Sequence, residues 1–354
     1  MATIEDVARM AGVSKATVSR VLSGRVKETS VRDETRRRIE LAASELEYRP
    51  SLFARGLKTK RTRLIGVVAR DLTNPFWAGI VEGVSRSCHQ RGYHVTLSHA
   101  LSESEQVIEG TLLTRMGWDG LVLCGDFRPE VDQQSVDRFI RQVRGVVGVA
   151  RPSDGLGFPT VRSDNALGVR QALDLLYSLG HRRIAFIGGG SGDAAERYEA
   201  YRCYCEDKGI PPPAEHSHLM TGRGPMNLRS AFVVGRFLAR RMLRLPEPPT
   251  AVLASTDFLA LGTLVAAQSE GRNVPGDLSI IGFDSFPLTR YTRPPLTMVE
   301  QPVQEMGSTA IELLIDIIDG RRAKDELLEI RLPTRLVRRS SCAPPRVPSQ
   351  AISR

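Results

Sequence analysis

The sequence has no apolar run long enough to cross a membrane and no export signal at its start. A membrane span needs roughly 18 to 20 apolar residues, and Glu5 and Asp6 stand where a signal peptide would place cations. The five cysteines lack the paired CxxC spacing of a zinc site. We therefore expect a cytoplasmic protein with reduced thiols, no metal, no cofactor and no membrane contact.

Motifs of catalysis are also missing. The stretch Gly188-Gly189-Gly190-Ser191-Gly192 could hold a phosphate, but it lacks the GK[ST] ending of a P-loop and the third glycine of the dinucleotide fingerprint. Cys203 and Cys205 would point about 200° apart on a helix, so they are not expected to bind a metal together. With no nucleophile or general-base motif beside them, these features indicate a protein that is not an enzyme.

Charge is present in abundance but is unevenly distributed. Residues 1–63 contain 15 Lys and Arg against 8 Asp and Glu, and residues 331–354 contain 6 against none. The residues between them contain 28 basic against 32 acidic side chains. This pattern is typical of a small nucleic-acid-binding module joined to a larger domain. The alternative is a solvated basic surface without a partner. A chain of 354 residues is long enough for roughly two or three domains.

Residues 1–48 have the pattern of three short helices. Thr3 can cap the first helix, Gly12 ends it, and Ser14 can cap the second helix. The apolar positions recur at helical spacing and are Ile4, Val7, Ala8 and Ala11, then Val18, Val21 and Leu22, then Ile39, Ala42, Ala43 and Leu46. This is the spacing of a helix-turn-helix, although any helical hairpin with a glycine turn can imitate it.

The second helix offers side chains that can contact DNA. A recognition helix enters the major groove by its N-terminal end, and here that end carries Lys15 and Ala16, followed by Arg20. Arg and Lys can donate to guanine, whereas Ala16 can at most contact a thymine methyl group. The block is therefore predicted to bind duplex DNA.

These motifs resemble the LacI/GalR family of bacterial transcription regulators. The matching segments are residues 3–8, 11–22, 48–50, 65–68, 72–76, 180–185, 282–284, 294–297 and 301–302. They cover nearly the whole chain in one order. The resemblance implies a repressor that binds pseudo-palindromic operator DNA as a homodimer or higher oligomer, under the control of a small-molecule effector.

The resemblance also implies which residues contact DNA. They are Thr3, Ser14, Lys15, Ala16, Thr17, Ser19, Arg20, Tyr48 and Leu57. Residues 49–63 correspond to a hinge helix and linker, in which Leu57 would wedge into the minor groove and kink the duplex. Ordinary linker packing of Leu57 is the alternative. Gly56 departs from the family pattern and would weaken a hinge helix.

From residue 64 onward, short apolar runs alternate with helical stretches. Buried strands are predicted at residues 64–69, 93–97, 120–124, 146–150, 183–188, 250–254 and 278–283. The pattern restarts near residue 160. We expect an N-terminal all-α helix-turn-helix domain (1–48), a hinge (49–63) and an α/β periplasmic-binding-protein-like domain of two lobes (64–339). Residues 340–354 have little apolar content and are predicted to be a disordered tail.

Residues just after the strands are the candidates for effector binding, because ligands bind at the carboxyl ends of parallel strands. The candidates are Asn74, Phe76, Trp77, Arg197, Thr256, Asp257 and Asp284. In the family, the residues matching Arg197 and Asp284 hold polar groups of the effector, and aromatics near Phe76 pack on it. An ordinary salt bridge between the lobes is the alternative for that pair.

Three departures from the family pattern argue against a common sugar. Ala150 stands where sugar-responsive members often have aspartate, Thr256 replaces an asparagine, and Gly224 replaces an aromatic. Arg162 replaces a small residue, which would favour an anionic effector unless its side chain faces solvent. A constitutive DNA-binding regulator with a degenerate cleft is the alternative to an effector-controlled one.

Overall fold

Two compact units make up the chain in a computed structural model, Met1–Arg63 and Leu64–Arg354. The structure describes residues 2–22, 31–48, 61–69, 72–100, 103–125, 133–150, 157–189, 192–210, 217–220, 228–284 and 286–346. The predicted hinge residue Leu57, together with Gly56 and Gly224, lies outside the described residues.

The described residues of the first unit form three helices, as the sequence predicts. They are α1 (Ile4–Ala11), α2 (Lys15–Leu22) and α3 (Asp33–Glu45). Gly12 ends α1 in the left-handed region at φ 61°, which an L side chain rarely adopts. Val7, Val18 and Ile39, one from each helix, are fully buried and form the centre of this small core.

Two six-stranded sheets form the second unit, one in each lobe. The N-terminal lobe has β1 (Leu64–Ala69), β2 (His94–His99), β3 (Gly120–Cys124), β4 (Val146–Val149), β5 (Thr160–Ser163) and β11 (Glu329–Leu332), in the order β11-β5-β4-β3-β1-β2. The C-terminal lobe has β6 (Ile184–Gly189), β7 (Ser217–Met220), β8 (Ala251–Ala254), β9 (Ser279–Asp284), β10 (Thr297–Glu300) and β12 (Arg335–Val337), in the order β12-β10-β9-β8-β6-β7. The two orders are equivalent position by position, so β4 corresponds to β9.

Strand pairing is parallel in both sheets except between β10 and β12, which pair antiparallel. The helices of this unit are α4 (Pro75–Gln90), α5 (Glu103–Arg115), α6 (Gln133–Gln142), α7 (Asn165–Ser178), α8 (Asp193–Asp207), α9 (Leu228–Leu243), α10 (Asp257–Ser269) and α11 (Val303–Ile318). A 3-10 turn spans Pro287–Arg290. The predicted fold class of a helix-turn-helix domain and a two-lobed α/β domain is confirmed.

The lobes are not consecutive segments of the chain, because the chain crosses between them three times. It crosses after β5 into α7, after β10 into α11, and between β11 and β12. Helix α11 packs on α4 and on strands of the N-terminal sheet. The carboxyl ends of β5 and β11 therefore lie where the chain leaves the N-terminal lobe for the C-terminal lobe.

The start of the predicted disordered tail is packed, so that prediction is wrong for residues 340–346. Ser341 is fully buried beside the starts of β9 and β10, where its carbonyl accepts from Ile280 N–H at 2.9 Å and its hydroxyl accepts from Thr297 N–H at 2.8 Å. Arg346 pairs with Asp277 at 2.7 Å. Composition misses this segment because main-chain hydrogen bonds hold it. Residues 347–354 lie outside the described range.

Candidate functional site

The exposed face of α2 carries the side chains predicted to contact base edges. Lys15, Ala16 and Arg20 are exposed, whereas Thr17 and Ser19 are half-buried. Ser14 caps the helix: its hydroxyl accepts from Thr17 N–H at 3.2 Å. The exposed face of α2 therefore presents two cations around a small side chain, a surface that suits a major groove.

Contacts at α1 hold this helix end in place. Thr3 caps α1 through reciprocal hydrogen bonds with Asp6, at 2.9 Å from Thr3 N–H and 3.3 Å to Thr3 Oγ1, and these bonds lower the pKa of Asp6. The Glu5 carboxylate pairs with Lys15 across the turn. Sequence reasoning missed this pair, because no helical spacing links two residues on different helices.

Tyr48 lies just past α3, half-buried against the helical core. Its N–H donates to the Ala43 carbonyl at 2.8 Å. The position of Tyr48 is therefore fixed by its own unit, and its predicted contact with DNA stays a prediction.

At the carboxyl edge of the C-terminal sheet, Arg197 of α8 is held by three acceptors. Only 4% of the residue is exposed. Its Nε donates to Asn165 Oδ1 at 2.8 Å, and its Nη1 donates to the Ser255 carbonyl at 2.6 Å and reaches Asp284 Oδ1 at 3.4 Å. The guanidinium also lies 3.7 Å from the centre of the Phe283 ring. The arginine is thus fixed in one orientation before any ligand arrives.

Asp284 ends β9 in an unusual backbone conformation, with φ at 84°. A non-glycine residue in this region is strained, and such strain concentrates at functional sites. Gln301 Nε2 donates to the same carboxylate oxygen that faces Arg197. Burial raises the pKa of Asp284, and the Arg197 charge opposes that rise.

Asp257 stands beside this pair at the start of α10. Its two oxygens accept from Phe258 N–H at 2.7 Å and Phe286 N–H at 3.3 Å. Burial, followed by the charge of Asp284, raises the pKa of Asp257 to about 8. The edge therefore holds one cation and two carboxyl groups, and burial raises the pKa of both carboxyl groups.

Thr256 stabilises the start of a helix at the same edge of the sheet. Its hydroxyl accepts from Leu259 N–H at 3.3 Å and caps α10. The other polar atoms next to Arg197 include Ser255 Oγ and Gln301 Oε1, which are buried and lack a hydrogen-bond partner among the described residues. Unpaired buried acceptors are costly and indicate a place where a donor can bind.

The predicted residues of the N-terminal lobe lie at the start of α4. Asn74 caps that helix by accepting from Phe76 N–H at 3.0 Å. The Phe76 and Trp77 rings meet edge to face, 4.8 Å between centres, and pack half-buried on the core of their own lobe. The seven predicted effector residues are therefore divided between the lobes: Arg197, Thr256, Asp257 and Asp284 come together in one, and these three lie in the other.

Two interpretations of charged residues need correction. The Arg197–Asp284 pair lies within the C-terminal lobe, so it is not a salt bridge between the lobes. Arg162 neither faces solvent nor stands free to attract an anion, because its side chain is 5% exposed and pairs with Asp193, Glu196 and Glu329. Sequence reasoning could not see these partners, which lie far along the chain.

Gln301 and Asn165 are further residues of the site that sequence reasoning did not single out. Gln301 belongs to a segment that carries the family resemblance, and Asn165 follows β5 directly, so position after a strand was the available signal. Among the described residues, no group of three or more His, Cys, Asp or Glu side chains could hold a metal ion. No helix in the described ranges is long and apolar enough to cross a membrane.

Comparison with known proteins gives matches along almost the whole chain. A family model described as bacterial regulatory proteins, lacI family, matches residues 3–51. A model described as a periplasmic binding protein-like domain matches residues 173–342.

Two curated relatives are similar over nearly their full length. The HTH-type transcriptional repressor CytR of Escherichia coli strain K12 is 34% identical over 331 residues, which cover 90% of this chain and 91% of the relative. The ribose operon repressor of the same strain is 33% identical over 336 residues, covering 93% and 97%.

A solved structure shows the same architecture. The lac repressor dimer bound to operator and the anti-inducer ONPF superimposes with a TM-score of 0.83 at 26% identity, over 97% of this chain and 99% of that one.

Proposed function

This chain belongs to the lacI family of bacterial regulatory proteins, and we propose on that premise that it is a transcriptional repressor under the control of a small polar metabolite. The observation that carries the proposal is the buried Arg197–Asp284 pair, fixed at the carboxyl edge of a sheet with unpaired acceptors beside it. Such an arrangement suits a ligand and has no need of catalysis. We propose no enzymatic activity.

The DNA-binding part of the proposal rests on α2. Lys15, Ala16 and Arg20 would face base edges, while Thr3, Ser14, Thr17, Ser19, Tyr48 and Leu57 would contact the backbone or the minor groove. Glu5 holds Lys15 in the free protein, and binding would exchange this partner for DNA. Two reading heads are needed for a pseudo-palindromic site, since a two-fold protein reads a two-fold sequence.

A homodimer, or a higher oligomer built from it, is proposed for the same reason. The N-terminal lobe exposes apolar side chains on its β2 edge and on one side of α5, at Leu97, Ile108, Leu112 and Met116. Contiguous exposed apolar side chains are typical of an interface. This surface supports subunit association.

The effector we propose is a sugar or related polar compound that offers hydrogen-bond donors. Arg197 already faces Asp284, and Arg162 faces three carboxylates, so these two buried cations leave little positive charge for an anion. The unpaired Ser255 Oγ and Gln301 Oε1 accept rather than repel a hydroxyl group. Phe76 and Trp77 of the other lobe would cover the apolar face of the ligand.

A constitutive regulator is the second candidate, and the loss of a polar side chain at Ala150 favours it. Thermal-shift measurements with a panel of sugars, nucleosides and sugar phosphates separate the two candidates. A ligand that binds the folded protein raises its melting temperature, so an effector-controlled repressor gives a shift with one class of compound. A constitutive regulator gives none.

Operator recognition is tested by the variant Arg20→Ala, with duplexes selected from a random pool by the parent protein. We expect operator affinity to fall by about 1 to 3 kcal/mol and base preference to relax at one position in each half-site. Arg202→Ala, which breaks an exposed pair on α8, serves as the matched control and leaves DNA binding unchanged. Equal binding by Arg20→Ala and the parent across all duplexes would contradict the role of α2.

A further inference from the structure

Arg162 occupies an unusual place for a charged residue. It lies on β5, the strand from which the chain passes into the other lobe at Asn165, and only 4% of the residue is exposed. Its Nε is buried and has no hydrogen-bond partner among the described residues. A buried guanidinium is stable only where carboxylates surround it.

The carboxylates that surround Arg162 come from both lobes. Asp193 Oδ1 lies 3.1 Å from its Nη2, and Glu196 pairs with the same nitrogen; both belong to the first turn of α8 in the C-terminal lobe. Glu329 of β11, in the N-terminal lobe, lies 3.6 Å from Nη1. Arg162 therefore contacts carboxylates of both lobes.

Arg331 closes the network from the neighbouring strand. It stands opposite Arg162 in the β5–β11 register, and its guanidinium contacts Glu196 at 3.1 Å and Glu329 at 2.6 Å. We call Arg162, Asp193, Glu196, Glu329 and Arg331 the crossover cluster. Its carboxylates outnumber its guanidinium groups by one, and the carboxylates of α8 lie at a helix N-terminus that favours negative charge.

Asn165 connects the crossover cluster to the candidate effector site. Its Nδ2 donates to Asp193 Oδ1 at 3.1 Å and to Glu196 Oε2 at 2.6 Å, while its Oδ1 accepts from Arg197 Nε at 2.8 Å. An unbroken chain of polar contacts thus runs from Arg162 in one lobe to Arg197 in the other.

We propose that the crossover cluster is a latch between the lobes, in which Arg162 is a positioning residue for Arg197. Arg162 holds the first turn of α8 against β5 and β11, and Asn165 transmits that placement to the guanidinium of Arg197. A ligand that binds Arg197 would then meet two lobes whose relative position is already fixed by the ion pairs of the crossover cluster. The latch itself concerns the ligand-free protein, and only its consequence for a bound ligand rests on the proposed function.

Hydrogen exchange of the full-length protein, without DNA or ligand, tests the latch. Removal of one partner from a buried ion pair leaves an uncompensated charge, so we expect exchange to accelerate by about tenfold or more in the opened segments. Arg162→Met removes the cation, and Glu196→Gln removes one carboxylate at constant shape. Each variant should accelerate exchange on both sides, in residues 160–163 and 329–332 and in residues 193–197. The double variant should accelerate exchange by a smaller factor than the product of the two single-variant factors.

The Arg244–Glu270 pair, 3.0 Å apart just past the ends of α9 and α10 within one lobe, supplies a control outside the crossover cluster. Arg244→Met should alter exchange in α9 and α10 alone. Parent-like exchange of residues 193–197 in Arg162→Met would overturn the proposal, because Arg162 would then only fill space in its own sheet. Should Arg162→Met fail to fold, Glu196→Gln tests the latch from the other side, and parent-like exchange of residues 160–163 in that variant would overturn it. Multiplicative effects in the double variant would also overturn it.

Discussion

The two lobes share one fold, yet they differ at the same point of their sheets. Ala150 follows β4 with φ at 56°, and Asp284 ends the equivalent strand β9 with φ at 84°. Both residues adopt a left-handed backbone conformation at the carboxyl edge of their sheets, but only Asp284 has a polar side chain there. In the proposed effector site, the C-terminal lobe would thus be the polar half, while the N-terminal lobe would supply the aromatic rings of Phe76 and Trp77. A strained backbone conformation does not by itself indicate a binding site. A polar side chain with a partner is needed as well, as Asp284 has and Ala150 lacks.

The largest difference between the lobes should appear when Arg197 is removed. Arg197→Met leaves Asp284 buried without its cation, which we expect to destabilise the C-terminal lobe by about 3 to 5 kcal/mol. Both tryptophans, Trp77 and Trp118, lie in the N-terminal lobe, so their fluorescence reports that lobe, and hydrogen exchange in β8 and β9 reports the other. Urea unfolding followed by both signals checks this.

The control for that experiment is Arg86→Met, which breaks an exposed pair with Glu82 on α4. Exposed pairs of this kind contribute little, so its unfolding curve should match the parent. If Arg197→Met unfolds at the parent midpoint by both signals, the buried pair does not stabilise the C-terminal lobe.

The next largest effect should be a dependence of stability on pH, and we expect it in the C-terminal lobe as well. The folded protein holds the pKa of Asp257 at about 8, above the value of about 4 for an unfolded aspartate. Between these values the folded state binds the extra proton, so the free energy of unfolding falls as pH rises, by up to about 1.4 kcal/mol per pH unit. Above about pH 8 this contribution levels off.

Asp257→Asn removes the titrating group at nearly constant shape, so its stability should vary less with pH over that range. Urea midpoints of exchange in β8 and β9 at pH 5, 6, 7 and 8 give the measurement. Identical slopes for Asp257→Asn and the parent would mean that Asp257 is ionised in the folded protein at neutral pH.

The smallest effect concerns the strained backbone itself. Ala150→Gly relieves the cost of left-handed backbone and should raise the stability of the N-terminal lobe by up to about 1 kcal/mol. Asp284→Gly should instead lower stability, because the gain in backbone freedom is outweighed by the loss of the partner of Arg197. Tryptophan fluorescence measures the stability change in Ala150→Gly, and hydrogen exchange in β9 measures it in Asp284→Gly. If both variants changed stability in the same direction, the two strained positions would not differ as we propose.

Sequence patterns predicted what depends on local order. Neighbouring residues determine the capping by Thr3, the turn at Gly12 and the buried apolar runs of the central strands. Five strands of three or four residues escaped prediction, because such short segments give little pattern to detect; they are β5, β7, β10, β11 and β12. The partners of the candidate site were equally hidden.

Hydrogen bonds within the site join residues that are far apart in sequence. Asn165 lies 32 positions from Arg197, and Gln301 lies 17 positions from Asp284. The choice of Arg197 and Asp284 came from a resemblance, whereas the burial and the partners of Arg162 could be seen only in the fold. Charge partners across two lobes leave no periodic signal in a sequence.

The link between the cleft and DNA is the central claim, and operator affinity with and without a ligand tests it most directly. The ligand is the sugar or nucleoside that stabilises the parent in the thermal-shift panel, and affinity is measured by fluorescence anisotropy for the parent and for Asp284→Asn. A ligand moves an equilibrium only through different affinities for its two states. We predict that it changes operator affinity of the parent by roughly 5- to 150-fold and leaves that of Asp284→Asn unchanged. The same change in both proteins, or none in the parent, would contradict the account.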